Sequence, residues 1–442
     1  MYIKKIEITN VRAIDRFVME FAEGEEPGWH VLLGENGTGK STIARSISAV
    51  LIGPEDIGHV RPNWDEWLKI GEESGTIELL MSFNDQWDKT AQTRPPADRT
   101  FTCQFTFLSN GRVKLETNAS AKTRNPLKYS WSGNKGWFSA GYGPFRRLSG
   151  GDPIELRPFY SAPRAGAHLS MFGESVALTE ALVWLKDLDR RRLKENEMNG
   201  WLTEADMDSG DAGKTLSLIR QFINTAGLLP FGALFQNINA DGEPVFKDGF
   251  GNDIKIGQLS DGYRSVLSMV FELLRQLFLQ YSLDRVFEIS SSDNKISMVV
   301  SAPGVVIIDE VDVHLHPTWQ SEIGQWFRQN FPNIQFIVTT HSPLICRAAE
   351  RGSIWKLANP GGKERAHKLS KIDKDKLVYG DILDAYDTDA FGDDIERGKE
   401  GRSKLERYRK LTYKFRYGQK MTQIESRELA YLKTLFVSNA EN

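Results

Sequence analysis

The segment GENGTGKS at residues 34–41 constrains this chain more than any other feature. It matches the pattern G-x-x-x-x-G-K-[ST], follows the apolar run WHVLL and opens a stretch of helical periodicity. Glycines in such a loop let successive backbone N–H groups turn towards a phosphate without a side chain in the way. The pattern predicts a strand, a phosphate-binding loop and a helix, with Lys40 on the β- and γ-phosphates of ATP and Ser41 on Mg²⁺. The candidate nucleotide ligands in this loop are Gly34, Asn36, Gly37, Thr38, Gly39, Lys40, Ser41 and Thr42.

The second half of the chain alternates fully apolar strands with helices. GVVIIDE, PTWQSEIGQWFRQNF and IQFIVTTH follow one another between residues 304 and 341. This alternation is typical of a parallel sheet covered on both faces, and ligands of such sheets bind at the carboxyl ends of the strands. Asp309 and Glu310 end the first of these strands. We therefore expect Asp309 to bind Mg²⁺ and Glu310 to act as the general base on the attacking water.

Other segments are predicted from alternation and periodicity. Alternating residues at the N-terminus predict strands, and a run of strands between about residues 76 and 160 predicts an antiparallel β lobe. The strands of this lobe are expected at TIELLMSF, RTFTCQFTFL, RVKLE, LKYSW and IELRPFYSA. Residues 174–227 are predicted to be helical around a mobile loop, EADMDSGDAGK, and ISSSDNK further on is expected to be a polar stretch.

These elements together predict an α/β fold with a parallel core sheet, an antiparallel β lobe, a helical insertion and a helical C-terminal region. We expect four segments along the chain. They are an ATPase lobe with the phosphate loop and the β lobe (1–165), a helical insertion (166–256), a second ATPase lobe (257–370) and a charged helical region (371–442).

Composition bounds the remaining possibilities. The formal net charge is −3, so any nucleic-acid surface must be local. No apolar run reaches the roughly 18 residues of a membrane helix, and the N-terminus lacks the apolar stretch of a signal peptide. Cys103 and Cys346 lie far apart and are expected to be buried, reduced thiols. The expected location is the cytoplasm, without membrane contact.

The segment LSDGYRS at residues 259–265 precedes a long apolar helix and resembles the signature of the ABC ATPase superfamily, L-S-G-G-Q. Ser260 and Gly262 match that signature, whereas Asp261 and Tyr263 depart from it. The resemblance implies an ABC-type ATPase head in which Ser260, Asp261 and Gly262 contact the γ-phosphate held by a second subunit. It also implies a γ-phosphate contact for His341 and a head-to-tail homodimer or higher homo-oligomer. Read alone, the same residues would be an ordinary helix N-cap.

Three further segments, IEITNVRAIDRFVMEF, AGYGPFR and DEVDVHLHPTWQ, resemble stand-alone bacterial ATPases related to OLD nucleases and RecF. In this group the arginine of the first segment, here Arg12, lies near the adenine. Only about 100 residues follow His341, which we expect to be too few for a Toprim nuclease domain. The layout therefore resembles the ATPase subunit of Septu-type anti-phage systems, and this implies a separate HNH-type nuclease partner. A RecF- or SMC-like repair ATPase and an ATP-stabilised scaffold are the alternatives.

Several assignments stay open at this level. The Mg²⁺-coordinating glutamine expected from the family is either Gln86 or Gln104. The H-x-H pair His314 and His316 is a weak candidate for a metal site, because no third ligand is evident. Residues 397–420 carry ten Lys or Arg against two Glu and could contact DNA, dock a partner or form a solvated helix. The acidic residues Asp381, Asp384, Asp387 and Asp389 are expected to form a surface rather than a nuclease centre.

Overall fold

A computed structural model describes the chain except for residues 62, 89–94, 97, 110–111, 121–124, 132–135, 147–157, 174–175, 177, 200–207, 230–231, 240, 293–294, 360–364, 381–398, 417–420 and 437–442. The strands are β1 (Tyr2–Val11), β2 (Ile14–Glu20), β3 (Gly28–Leu33), β4 (Ser74–Ser82), β5 (Thr100–Ser109), β6 (Val113–Thr117), β7 (Ser139–Tyr142), β8 (Leu234–Ile238), β9 (Pro244–Lys247), β10 (Asp253–Lys255), β11 (Phe287–Ser292), β12 (Lys295–Val300), β13 (Gly304–Ile308), β14 (Ile334–Thr340), β15 (Gly352–Lys356) and β16 (His367–Lys368). The helices are α1 (Lys40–Ile52), α2 (Pro158–Ser161), α3 (Pro163–Ala167), α4 (Leu169–Phe172), α5 (Glu180–Asn199), α6 (Asp211–Thr225), α7 (Asp261–Gln280), α8 (Leu283–Val286), α9 (Pro317–Asn330), α10 (Pro343–Cys346), α11 (Lys371–Tyr379), α12 (Lys399–Arg416) and α13 (Gln423–Phe436).

The core of the first compact unit, Met1–Tyr379, is a six-stranded sheet in the order β16-β15-β3-β14-β13-β7. All neighbouring pairs are parallel except β15 and β16. Every residue of β3, β13 and β14 is buried, which explains why their sequences are apolar without alternation. The predicted parallel core sheet is confirmed.

Both faces of this sheet are covered. On one face, α1 packs between the core sheet and an antiparallel sheet of order β2-β1-β4-β5-β6, in one apolar cluster that includes Ile47, Phe105 and Ile337. On the other face, α9 packs against β3 and β14, where the Trp29 ring stacks on Phe327 at a centroid distance of 6.1 Å. The antiparallel strands alternate buried and more exposed residues, as the predicted β lobe requires.

Two local predictions in and near this lobe are wrong. LKYSW is not a strand: a 3-10 helix spans Pro126–Lys128 and a turn follows, because Asn125 accepts a hydrogen bond from the Leu127 N–H and caps the helix. The Trp131 indole then points inward and donates to the Val50 carbonyl at 2.8 Å. In IELRPFYSA, Pro158–Ser161 form the helix α2, and residues 154–157 lie outside the described residues.

The insertion contains more β structure than its helical periodicity indicated. The helices α5 and α6 lie in the range predicted to be helical and pack on each other, but α6 already begins at Asp211, inside the segment predicted to be a mobile loop. An antiparallel sheet of order β10-β9-β8 follows. Further along the chain, ISSSDNK is predicted to be a polar stretch, but residues 289–292 lie in β11 and Lys295 begins β12, and these two strands pair antiparallel through their backbones. Residues 293–294 of this segment lie outside the described residues.

The second compact unit, Gly380–Asn442, is described through α12 and α13. Ion pairs join the two helices, between Arg407 and Glu428 at 3.0 Å and between Lys414 and Glu425 at 2.8 Å. Leu411 is completely buried. The predicted helical C-terminal region is confirmed for these residues, whereas the acidic cluster from Asp381 to Asp389 lies outside the described residues.

The expectation of buried, reduced cysteines is met in the described ranges. Cys103 and Cys346 are buried and form no disulfide, and burial raises the pKa of the Cys103 thiol to about 12. None of the helices that the structure describes is long and apolar enough to cross a membrane.

Candidate functional site

The candidate site lies at the carboxyl ends of three adjacent parallel strands. Because β14 lies between β3 and β13, the residues that follow these strands meet at one edge of the sheet. The phosphate loop follows β3, His341 follows β14, and Asp309 and Glu310 follow β13. The Lys40 ammonium lies 3.5 Å from His341 Nδ1. The structure thus brings together the candidate residues of three separate sequence segments, whereas the signature segment is not part of this cluster.

The phosphate loop depends on two glycines in the left-handed region. Gly37 has φ of +83° and Gly39, which precedes α1, has φ of +91°. Gly34 is required for a different reason, since a Cβ there would lie 2.7 Å from Thr38 Oγ1. The Thr38 hydroxyl donates to the Glu35 carbonyl at 2.9 Å and closes the loop. Asn36 at the tip is exposed, and Ser41 and Thr42 are half-buried in the first turn of α1.

Lys40 is folded back onto its own loop. Its ammonium donates to the Gly34 carbonyl at 2.9 Å and to the Glu35 carbonyl at 2.8 Å. Burial lowers the pKa of Lys40, and the negative charges of Glu310 and Asp309 act against that shift. The ammonium thus has two carbonyl oxygens and the His341 ring nitrogen as acceptors, and none of these is an anion. A phosphate oxygen there would form the stronger, charge-assisted hydrogen bond.

Asp309 has one oxygen suited to a cation. The carboxylate is 1% exposed, and its Oδ1 accepts a hydrogen bond from the Thr339 hydroxyl at 2.6 Å. Its Oδ2 is buried and has no hydrogen-bond partner among the described residues. Hard cations such as Mg²⁺ are bound by such carboxylate oxygens. The residues present therefore fit Mg²⁺, with Ser41 as the second candidate ligand.

Glu310 occupies an unusual backbone conformation beside Asp309. Its φ is +48°, in the left-handed region that few residues other than glycine adopt. The Thr339 hydroxyl accepts a hydrogen bond from the Glu310 N–H at 2.8 Å, so one threonine holds both acidic residues. Sequence reasoning missed Thr339, which lies among the apolar residues of β14.

The signature segment is anchored by its own chain. Ser260 is the N-cap position of α7, but its hydroxyl forms no capping hydrogen bond, and Ser260 and Asp261 are exposed. A Cβ at Gly262 would lie 3.0 Å from the His314 carbonyl oxygen, which explains the glycine. Tyr263, a departure from the transporter signature, accepts a hydrogen bond from the Trp319 indole at 2.6 Å. The loop is therefore held against α9 with its first residues open to solvent.

Other candidates have simpler surroundings. Arg12 lies in the turn after β1, and the adjoining Ile14 side chain lies 3.3 Å from the position of a Cβ at Gly39. His316 Nδ1 accepts from the Thr318 N–H and caps α9, which is a structural role. Gln104 Nε2 donates to Thr106 at 3.4 Å. Among the described residues, neither Gln86 nor Gln104 forms a side-chain hydrogen bond with the phosphate loop, and no cluster of three or more His, Cys, Asp or Glu could hold a metal.

Comparison with known proteins gives an independent view of the chain. The profile of the family described as "AAA domain, putative AbiEii toxin, Type IV TA system" matches residues 176–347. The match contains Ser260, Asp309, Glu310 and His341, while the phosphate loop lies outside it.

Among curated proteins, the Septu protein PtuA of Bacillus mycoides (strain KBAB4) is 24% identical over 400 residues, which cover 88% of this chain and 45% of that protein. The Retron Ec83 probable ATPase of Escherichia coli is 35% identical over 136 residues, covering 30% of this chain and 23% of that protein. The chain thus spans less than half the length of these relatives.

Among solved structures, an SMC head bound to the C-winged helix domain of ScpA aligns with a TM-score of 0.49 at 16% identity, covering 84% of this chain and 98% of that chain. The SMC head domain from Thermotoga maritima aligns with a TM-score of 0.43 at 14% identity, again over 84% of this chain and 98% of that chain. On the sequence matches, residues 176–347 are similar to this AAA domain family, and the chain is similar to Septu PtuA and, over a shorter stretch, to a retron ATPase.

Proposed function

We propose that this protein is an ATP-binding and ATP-hydrolysing switch that controls a separate nuclease in anti-phage defence. The observation that carries the proposal is the convergence of Lys40, His341, Asp309 and Glu310 at one edge of the parallel sheet. The names of the Septu and retron relatives support the defence role.

Each residue of the site has a proposed task. The loop from Gly34 to Thr42 wraps the phosphates with its N–H groups, and Lys40 turns from its loop carbonyls to the β- and γ-phosphates. Ser41 and Asp309 would hold Mg²⁺, which when bound neutralises phosphate charge. Glu310 orients the attacking water and accepts its proton, and His341 donates to the γ-phosphate. Arg12 contacts the adenine end.

The complete site is proposed to need a second copy of the chain. Ser260, Asp261 and Gly262 of one protomer would face the γ-phosphate bound by its partner, in a head-to-tail homodimer or higher homo-oligomer. The exposure of Ser260 and Asp261 at the start of α7 supports this arrangement. The effector is proposed to be an HNH-type nuclease on another chain, with DNA contact through the basic stretch at residues 397–420.

Purified protein tests the enzymatic part of this proposal. We expect Glu310→Gln to bind ATP with unchanged affinity, to lose turnover by about 10²-fold or more and to accumulate an ATP-dependent dimer. Lys40→Ala should lose ATP binding, whereas Glu116→Gln, an exposed change on β6, should behave as the wild type. Unchanged turnover in Glu310→Gln would exclude the assigned base.

A second experiment tests the partner. An HNH protein encoded beside this chain should co-purify with it, and the complex should cleave DNA in a manner that depends on ATP. Strong DNA-stimulated ATPase activity without any nuclease partner would favour the repair ATPase instead.

A further inference from the structure

Arg146 is a buried cation close to the acidic residues of the site. It lies in the loop that follows β7, the neighbour of β13 in the core sheet, and only 5% of it is exposed. Burial lowers the pKa of its guanidinium to about 10, so the group stays charged at neutral pH. A buried charge is costly unless it is extensively hydrogen-bonded. The guanidinium of Arg146 meets that condition, because it donates to four backbone carbonyls and to one hydroxyl.

Four of its acceptors are backbone carbonyls, and three of these belong to consecutive residues of the candidate site. Nη1 donates to Gly143 at 2.9 Å and to Asp309 at 3.0 Å, and Nη2 donates to Glu310 at 3.1 Å and to Val311 at 3.5 Å. A guanidinium is planar and has five N–H groups in a fixed fork, so it can bind several carbonyls of one turn at once. The backbone that carries both acidic residues is therefore attached to a single side chain.

This attachment matters because of the conformation of Glu310. A left-handed φ of +48° costs free energy in a residue other than glycine and persists only where the surroundings fix it. The Glu310 carbonyl accepts from Arg146, and its N–H donates to the Thr339 hydroxyl. The peptide groups on both sides of Glu310 are thus held, which fixes the direction in which its carboxylate leaves the backbone.

The same guanidinium also reaches the signature helix. Its Nε donates to the hydroxyl of Ser265 at 3.3 Å, and Ser265 is a buried residue of α7. Ser265 lies five positions after Ser260, in the second turn of the helix that begins with the exposed signature residues. A displacement of the start of α7 would therefore act directly on the side chain that holds the Glu310 backbone.

We propose that Arg146 is a positioning residue for ATP hydrolysis, which fixes the turn from Asp309 to Val311 and makes its geometry depend on the position of α7. This inference rests on the proposed function. In the proposed dimer, the start of α7 meets the nucleotide of the partner, so Arg146 would align the base of one site in response to occupancy of the other. In the turn from Asp309 to Val311, Arg146 donates only to backbone carbonyls. Its loss should therefore affect the chemical step more than ATP binding.

The test separates affinity from turnover. Lysine keeps the charge but offers a point ammonium that cannot span five acceptors, so Arg146→Lys should lower kcat by about 10- to 100-fold. The affinity for ATP, measured by titration, should stay within about threefold of the wild type, because the phosphate loop is untouched. Ser265→Ala removes only the contact to α7 and should lower kcat by a few-fold at unchanged affinity.

A matched control comes from Arg164. It is also buried, at 7% exposure, with a pKa lowered to about 10 by burial, and it donates to the Ser130 carbonyl and lies over the Trp137 ring at 5.1 Å. Arg164→Lys should lower the melting temperature about as much as Arg146→Lys while keeping the wild-type kcat.

Equal kcat values for the two lysine variants would overturn the inference, and a wild-type kcat in Ser265→Ala would overturn the dependence on α7. Should Arg146→Lys fail to fold, Ser265→Ala carries the test alone. Failure of the proposed function looks different: the wild type itself would not hydrolyse ATP, or Glu310→Gln would match it.

Discussion

Thr339 is the residue on which the geometry of both acidic side chains depends. Its hydroxyl donates to Asp309 Oδ1 at 2.6 Å and accepts from the Glu310 N–H at 2.8 Å, so its single hydrogen is directed at the carboxylate. Thr339 is completely buried in the middle of the sheet edge. Water cannot replace it there without opening the contact between β13 and β14.

We expect Thr339→Val to damage the site without removing any proposed catalytic group. Valine has nearly the same shape, but it leaves the buried Oδ1 of Asp309 and the N–H of Glu310 without this partner. The free energy of unfolding should fall by about 1–3 kcal/mol, as urea denaturation would measure. Turnover should fall as well, because Asp309 is free to rotate away from its proposed Mg²⁺-binding direction.

The control for this change is Thr76→Val, on the half-buried face of β4 in the antiparallel sheet. This change should alter the free energy of unfolding by no more than about 0.5 kcal/mol, and it should leave turnover unchanged. A Thr339→Val protein that is as stable and as active as this control would contradict the proposed dependence of both acids on one hydroxyl.

Single residues also show where sequence reasoning succeeds and where it fails. The phosphate loop can be predicted from the sequence because its glycines, Lys40 and Ser41 lie close together in the chain, and local backbone geometry imposes their spacing. The roles of Thr339 and Arg146 cannot be predicted in this way, because their hydrogen-bond partners at Asp309 lie 30 and 163 positions away along the chain. Threonine is also an ordinary strand residue, so its presence in β14 needs no special explanation.

At the scale of elements, prediction works best where burial is uniform. The strands β3, β13 and β14 and the helix α9 occur where apolar runs and periodicity place them. LKYSW fails because its alternation comes from a capped turn that anchors Trp131 on α1 rather than from strand pairing. The roles of the site residues stay predictions, since position alone does not establish chemistry.

The packing of α9 on the core sheet gives a prediction at this scale. Gly324 lies inside the helix, where alanine would normally stabilise by about 1 kcal/mol. A Cβ at this position, however, would lie 2.8 Å from the Trp29 ring and 2.6 Å from Ala348 Cβ. We expect Gly324→Ala to lower the free energy of unfolding by about 1–2 kcal/mol, because overpacking outweighs propensity.

Gly58→Ala is the matched control, since Gly58 lies in the 3-10 helix Ile57–His59 and no heavy atom lies within 4 Å of its ideal Cβ. Its stability should be unchanged or slightly raised. If Gly324→Ala were the more stable of the two variants, α9 would not pack on Trp29 as closely as the structure shows.

For the whole molecule, the proposed head-to-tail dimer makes a prediction about which chain supplies each part of the site. Lys40, Asp309, Glu310 and His341 are contributed by one protomer and meet at one edge of one sheet. Ser260 and Asp261 begin α7 and are exposed to solvent. In a head-to-tail dimer, a damaged phosphate loop and a damaged signature would fall in the same site when they come from different chains.

That geometry predicts recovery of activity on mixing two inactive variants. Lys40→Ala removes the proposed phosphate contact. Gly262→Asp adds a negative charge to the signature and places a Cβ 3.0 Å from the His314 carbonyl oxygen. Each variant alone should be inactive. In an equal mixture about half of the dimers pair one of each kind, and each mixed dimer has one intact site, so about one quarter of the wild-type turnover should return. Mixing Lys40→Ala with Glu310→Gln should restore nothing, because those two changes disable different sites of the mixed dimer. Recovery in both mixtures, or in neither, would exclude a site shared head to tail between two chains.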